Sequence, residues 1–352
     1  MLKKEKILSC DFVRAICALG IIAFHFSCHL SESSFHPFYS FKNGDWGSSI
    51  VTCFFVLSGF VLYYNYADKQ ISLRQYYYKR WKALYPMFYM AYIPFYLKSV
   101  LDAKSFFYIG KPHLLILTLL GMDGYFRYKA DNYYILGEWF LGAIIMLYLL
   151  YPLILWAVKK FNYAVLAVSL VLFVWQLGAD LFEIDNFRNL LSCMFSFIVG
   201  MFIAKYPIYK SKVTALVSVA VAAVLMFVKL PGYDSIYTHI MGFALFFVLM
   251  TVGEYVMKVK WLGTVTKEVS KLSYAIFLVQ NVVALHLVNL TNPVGTGKVC
   301  IVLLAGIFIT IVVAEVLYII AGFMFKSKPF KWLDTKFLGD MTRNKQLKDS
   351  NA

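Results

Sequence analysis

The sequence predicts an all-α fold: a polytopic membrane helix bundle of about ten transmembrane helices with both termini cytoplasmic. Three observations carry this. Apolar residues make up 61% of the chain and mean hydropathy is +0.68, against roughly 45–50% apolar residues in soluble domains. Charged residues reach only 15% and fall in short clusters between long apolar runs. Those clusters are biased toward alternate loops, which is how a chain records its orientation in a bilayer.

A helix needs about 20 mostly apolar residues to cross the hydrocarbon. Ten stretches meet or approach that length: 11–29, 47–66, 84–101, 136–158, 162–181, 189–204, 213–230, 236–256, 272–290 and 299–325. The run 113–121 is apolar but too short to cross and reads as an interfacial or re-entrant segment. Residues 326–352 are polar and basic with no apolar period. They read as a cytoplasmic tail, either solvated or touching anionic headgroups. The chain therefore divides into a membrane domain over 1–325 and a basic tail over 326–352, with no second soluble domain. Its start has the outline of a signal peptide, a basic stretch before an apolar one. Asp11 and Arg14 interrupt the apolar run and no clean cleavage site follows, so it reads as a retained first helix.

With the N-terminus inside, the cytoplasmic segments hold 24 Lys and Arg and the opposite segments nine, Arg14 lying within the first span. The inverted topology would place the larger number outside, against the positive-inside rule. The net charge of +15 is thus largely a topology signal, and no zinc-finger, RRM or KH pattern points to nucleic acid as a partner. The six cysteines form no CxxC and lie almost all inside apolar runs. That pattern suits small buried hydrophobes and indicates neither a disulfide framework nor a metal site.

The first span holds the most informative residues. Arg14 and His25 are eleven residues apart, which sets them about 20° apart in angle and about 16 Å apart along the axis. An ionisable residue inside a span costs about 2.5–3.5 kcal/mol on insertion scales. Two readings fit a pair on one face. Either the face lines a protein interior or water-filled cavity, or Arg14 snorkels to the headgroups and His25 serves as an interhelical donor. Asp11, three residues before Arg14, can pair with it on the helix surface. Imidazole titrates at about pH 6.5, so His25 can take and return a proton under physiological conditions. His29, one turn further on, reads as a substrate contact or as a marker of the outer interface.

Four stretches together resemble the acyltransferase-3 family of integral membrane acyltransferases, the group that O-acetylates surface polysaccharides and related acceptors. Asp11-Phe-Val-Arg14-Ala followed by His25 resembles the family's opening helix. Phe54-Phe-Val-Leu-Ser58-Gly59-Phe60 is similar to its second helix. Tyr78-Lys79-Arg80 through Tyr85-Pro86 resembles its basic loop before helix three, and Trp139-Phe-Leu through Tyr148 and Tyr151-Pro152 its fourth helix. Leu272-Ser273-Tyr274 is a weaker echo. Departures fall at Ala83, where the loop usually has Arg, at Ile144, where many members have Glu, and at Gln280, where some have His.

The resemblance implies an acyltransferase that takes acetyl-CoA, or another acyl-CoA, from the cytoplasm. The acceptor would be a hydroxyl of an extracytoplasmic glycan or lipid-linked saccharide, and the enzyme would sit in the plasma or inner membrane of a cell with a polysaccharide envelope. His25 and Arg14 would then be catalytic, His25 as general base or as a transient acyl-imidazole. Arg14, Lys79, Arg80, Lys82, Ser58 and Tyr85 would bind the donor, and His29, Glu138 and Trp139 the acceptor, with no metal. The phosphates of CoA call for charge-assisted bonds, which the basic segment with Lys69, Arg74, Lys79, Arg80 and Lys82 can supply, although it also simply obeys the positive-inside rule. The loops 31–46 and 122–138, the latter with Asp123, Asp131, Tyr133 and Tyr134, have the aromatics and carboxylates that suit sugars or an interfacial belt. Ser58-Gly59 suits close helix packing. A flippase for glycan intermediates, or a non-catalytic partner in polysaccharide assembly, also fits a polar cavity in ten spans. No matched pair of Gly/Pro-broken segments, the mark of inverted transporter repeats, is visible.

Overall fold

The computed structural model describes residues 5–30, 46–70, 72–179, 183–228 and 234–339. Among them the regular elements are all helical. In chain order they are α1 (Ser9–His29), α2 (Trp46–Tyr66), α3 (Leu73–Ala103), α4 (Leu115–Leu119), α5 (Trp139–Phe161), α6 (Tyr163–Gly178), α7 (Leu190–Lys205), α8 (Lys212–Phe227), α9 (Asp234–Val256), α10 (Lys260–Thr291), α11 (Thr296–Lys326) and α12 (Lys328–Leu338). The helices α1, α2, α5, α9, α10 and α11 are long and apolar enough to cross a membrane. The apolar helices α6, α7 and α8 have 16 residues each, about 24 Å of helix. The more polar α3 runs for 31 residues through two prolines, Pro86 and Pro94.

Two expectations need correction. The third span was expected from residue 84, after a basic loop. Instead α3 begins at Leu73, so Arg74, Lys79, Arg80 and Lys82 are helical. The intervening Leu, Gln, Tyr, Lys and Arg are adequate helix formers and no breaker precedes Pro86. The tail was expected to lack structure, yet residues 328–338 form α12, with Pro in its first turn. Asp334 of α12 pairs with Lys82 and accepts from the Tyr78 hydroxyl. Tyr78 stacks on Phe337 and Trp81 on Phe330. The short segment at 113–121 forms no long helix: a 3-10 turn over Pro112–Leu114 leads into the five-residue α4.

Pairwise contacts give the helix directions. Phe24 meets Trp46 while the Tyr64 hydroxyl reaches the Glu5 carbonyl, so α1 and α2 are antiparallel. Lys271 lies over the Tyr318 ring while Leu287 faces Gly306, so α10 and α11 are antiparallel. By contrast α1 and α10 run parallel, Arg14 meeting Ser270 and His29 meeting Asn281.

Close packing needs glycine at one crossing: a Cβ on Gly59 would lie 1.9 Å from the Phe197 carbonyl oxygen, and one on Gly200 2.0 Å from that of Val56. Another contact follows from a proline. Pro152 has no N–H to offer the Tyr148 carbonyl one turn back, and the Tyr76 hydroxyl donates to that oxygen instead, at 3.0 Å. The outward rows of α8 and α11, among them Leu216, Phe227, Ile301, Leu304, Phe308 and Phe323, are apolar and exposed. Such broad apolar surface suits lipid, not water. Cys10, Cys17, Cys53 and Cys193 are buried as free thiols, while Cys28 and Cys300 are exposed.

Candidate active site

The parallel pair α1 and α10 carries two polar rungs. At the first, Arg14 Nη1 donates to Asp11 Oδ1 at 3.3 Å and to Ser270 Oγ at 3.2 Å, and Ser270 donates to Asp11 Oδ1 at 3.2 Å. Lys6 adds an ion pair to the other Asp11 oxygen at 2.5 Å. Asp11 is buried and Arg14 half-buried. A buried carboxylate survives in such a place only when paired and hydrogen-bonded. This rung is closed, its side chains mutually satisfied.

The second rung is open. His25 is half-buried, yet its Nδ1 is enclosed without a well-formed hydrogen bond. The Ile21 carbonyl one turn back and the Gln280 side chain are its polar neighbours. Gln280 is fully buried, and neither atom of its amide has a hydrogen-bond partner in the protein. Beside it, His29 Nε2 and Asn281 Oδ1 are 3.0 Å apart, which orients His29. Buried polar groups are nearly always hydrogen-bonded, so an unsatisfied cluster marks a place where something else binds.

The loop before α5 closes on this rung. Gly137, at φ +85°, lets the backbone approach Asn281: a Cβ there would stand 2.8 Å from its Nδ2. Next in sequence, Glu138 is buried at the N-cap of α5 with both carboxylate oxygens lacking a well-formed bond. Trp139 lies under the Arg188 guanidinium at 5.4 Å, and Arg188 also lies within electrostatic reach of His25. Trp139 and Arg188 line a cavity of about 200 Å³ together with Tyr125, Arg127 and Asp185. Deeper in the loop, Asp123 is fully buried and its oxygens are also unpartnered. Burial pushes its carboxyl up to about 6, against a smaller opposing effect of Thr118. Asn132 holds the loop by donating to the Asp123 carbonyl and accepting from the Tyr134 N–H.

Nearer the Arg14 end, the expected donor residues part ways. Arg80 sits among the rings of Tyr66, Tyr76 and Tyr148 at 5.5–5.9 Å, and its buried Nε lacks a partner. It lines a cavity of about 360 Å³ with Tyr77, Trp81, Tyr85, Tyr89 and Tyr148. Tyr85 faces that cavity but spends its hydroxyl on the Leu120 carbonyl. Lys82 is held by Asp334, with Nζ at 2.6 and 2.7 Å from its two oxygens. Lys79 and Ser58 are half-buried. The acceptor-side expectation for 31–46 lies outside the described residues except at Trp46.

Sequence reasoning placed Arg14, His25, His29, Glu138 and Trp139 on this site but did not assign Ser270, Gln280, Asn281 or Arg188 to it. A usable trace of the first of these existed. Ser270 and Asn281 are eleven residues apart, the same spacing as Arg14 and His25, so each pair lies on one face of its own helix.

A multi-spanning bundle with a histidine facing an unsatisfied amide inside the membrane defines an enzyme-like site in a membrane protein. A family model for an acyltransferase domain matches residues 7–332, and the chain belongs to that acyltransferase-3 family. An uncharacterised protein of Haemophilus influenzae is 29% identical over 153 residues, covering 39% of this chain and 62% of that protein. No solved structure matches.

Proposed function

We propose that this acyltransferase moves an acetyl or other acyl group from acyl-CoA, entering from the cytoplasm at the Arg14 end, to a hydroxyl of a glycan or lipid-linked saccharide on the far side. The observation that carries the reading is the open His25–Gln280 rung, about three turns further along the same face of α1 from the closed Arg14 rung. The separation of about 16 Å along α1 suits the length of a pantetheine arm. Arg80, uncommitted to any carboxylate, is the better placed of the basic residues to meet phosphate. Lys79 can assist it, whereas Lys82 must first leave Asp334. Arg14 would line the route of the arm. Ser58 and Tyr85 complete the donor side, and His29, Glu138, Trp139 and Arg188 the acceptor side.

An N–H on His25 Nδ1 directed at the Ile21 carbonyl leaves the Nε2 lone pair as the base. His286 makes the corresponding contact to Val282, one turn back, at 2.9 Å. Nε2 takes the acceptor hydroxyl proton as the oxygen attacks the thioester carbonyl. The C–O bond forms, the C–S bond breaks, and the imidazolium returns the proton to the departing CoA thiolate.

Ten spans, cytoplasmic termini and a plasma- or inner-membrane location complete the proposal. The support is the parallel α1–α10 pair, which needs an odd number of crossings between them, and the concentration of Lys and Arg at the Arg14 end of the bundle. A non-catalytic assembly partner is less favoured by the unsatisfied rung. His25→Ala should abolish acylation of envelope glycans, read by mass spectrometry, while the protein still reaches the membrane. Unchanged glycan acylation in that variant would sink the reading. Purified protein should bind labelled acetyl-CoA, which a flippase would not.

A further inference from the structure

Gln280 is the amide of the open rung with both atoms unpartnered, and apolar packing does not explain it. Its side chain is completely buried in the middle of α10, adjacent to His25, and both its oxygen and its nitrogen lack partners in the protein. Two other buried polar side chains of the bundle are at least half engaged: the Gln176 amide donates to Ser192 at 2.8 Å while its oxygen is unpartnered, and the His239 ring sits 2.6 Å from the Ser235 carbonyl. A free amide in a low-dielectric site is costly to keep and is strongest where it meets developing charge.

We propose that Gln280 is a catalytic residue of the transfer, its side-chain N–H donating to the thioester carbonyl oxygen as that oxygen becomes an oxyanion. The inference rests on the acyl-CoA reading. The amide oxygen faces the His25 imidazolium at the same moment, so one side chain serves both charges that the step creates. No bond to Gln280 is made or broken. Asn281 does not share the role, because its nitrogen packs against Gly137 of the loop before α5 while its oxygen lies 3.0 Å from His29.

The test uses full-length protein in membrane vesicles, with acetyl-CoA as donor and the vesicles' own lipid-linked saccharides as acceptor. Gln280→Met keeps the length of the side chain and removes the amide. The rate at saturating acetyl-CoA should fall about 10²–10³-fold, the usual loss for one oxyanion donor, with the KM for acetyl-CoA within about threefold of wild type. The thermal midpoint should stay level or rise, since an unsatisfied buried amide has been replaced by an apolar chain. A second readout needs no acceptor. The infrared band of an isotope-labelled thioester carbonyl should lie lower when acetyl-CoA is bound to wild type than when bound to Gln280→Met. Gln280→Asn, which keeps the donor one methylene short, should fall between the two in rate.

Turnover within about threefold of wild type in Gln280→Met, or a carbonyl band at the wild-type position, overturns the assignment. An earlier thermal midpoint does so too, because it makes the amide structural. His25→Ala separates the two ideas. Full activity there defeats the general-base reading, while the carbonyl band still judges Gln280 on its own.

Discussion

Gly59→Ala tests whether the α2–α7 crossing is the rigid joint that the geometry makes it. The new Cβ would lie 1.9 Å from the Phe197 carbonyl oxygen, where real Cβ contacts do not fall below 3.0 Å. The helices must therefore part by about 1.1 Å, the difference between those distances. The obstacle is backbone, so no rotamer relieves it. A radial gap of about 0.5–1 Å forfeits about a quarter to a half of each dispersion contact, and overpacking typically costs about 1–3 kcal/mol. Taking the upper end, about 3 kcal/mol, and returning about 1 kcal/mol for the better helix propensity of Ala, the net destabilisation is about 2 kcal/mol. For a chain of this size that lowers the thermal midpoint by about 4 °C. The assay is a melt in detergent with a thiol-reactive fluorophore: Cys10, Cys17, Cys53 and Cys193 report unfolding, and the exposed Cys28 and Cys300 set the baseline. Gly59→Ala combined with Gly200→Ala should cost less than the sum, since one separation relieves both clashes. A midpoint at or above wild type in Gly59→Ala would refute the reasoning.

Three further outcomes follow from the same structure. Arg14→Ala should destabilise by about 2 kcal/mol, more than Ser270→Ala at about 1 kcal/mol, because it removes the cation from one oxygen of buried Asp11 and leaves only the neutral Ser270 hydroxyl there, while Lys6 still holds the other; equal melts in the two variants would contradict the closed rung. Asp334→Ala removes the bonds from Lys82 and Tyr78 that hold α12 on α3, so trypsin should cut near Lys328 and Lys331 about five- to tenfold faster, and an unchanged cleavage rate would mean that the aromatic stacks alone hold the helix. Asp123 has its carboxyl raised from 3.8 to about 6 in the folded protein. A raised carboxyl pKa means that the folded state binds the extra proton, so stability should be full below about pH 4 and fall as pH rises through 6. Asp123→Asn should flatten that fall, and identical pH–melt curves for the two proteins would count against it.

The sequence carried much of this fold because membrane helices announce themselves locally. A run of apolar residues must satisfy its backbone within itself, and the 3.6-residue period alone set Arg14 and His25 on one face. What it did not carry depended on distant partners. The helix α12 is only 11 residues long and rich in Lys, so its aromatics at 330 and 337 looked like scatter until Tyr78 and Trp81 were seen opposite them. Lys82 read as a phosphate ligand because its carboxylate, Asp334, lies 252 residues away. Arg188 stands in a loop positioned by the Asn189 cap of α7, and no period points from there to Trp139. Gln280 was visible only as a departure from family resemblance, since a lone polar residue in an apolar span has no pattern.

The contrast between the two rungs argues for where function sits on α1. Arg14 would be expensive in a membrane, yet Asp11 and Ser270 satisfy it and Lys6 holds the other Asp11 oxygen, so its rung is stable in the free protein. His25 and Gln280 stand on the same parallel pair without such partners, where apolar side chains of equal size would pack with less cost. A fold that satisfies one polar rung and leaves the next unsatisfied is spending stability at the second for a reason that the free protein does not reveal. The thioester carbonyl and an incoming hydroxyl supply the missing acceptor and donor together. A stability gain with catalytic loss in Gln280→Met is therefore the sharper result, because a merely structural glutamine cannot produce both.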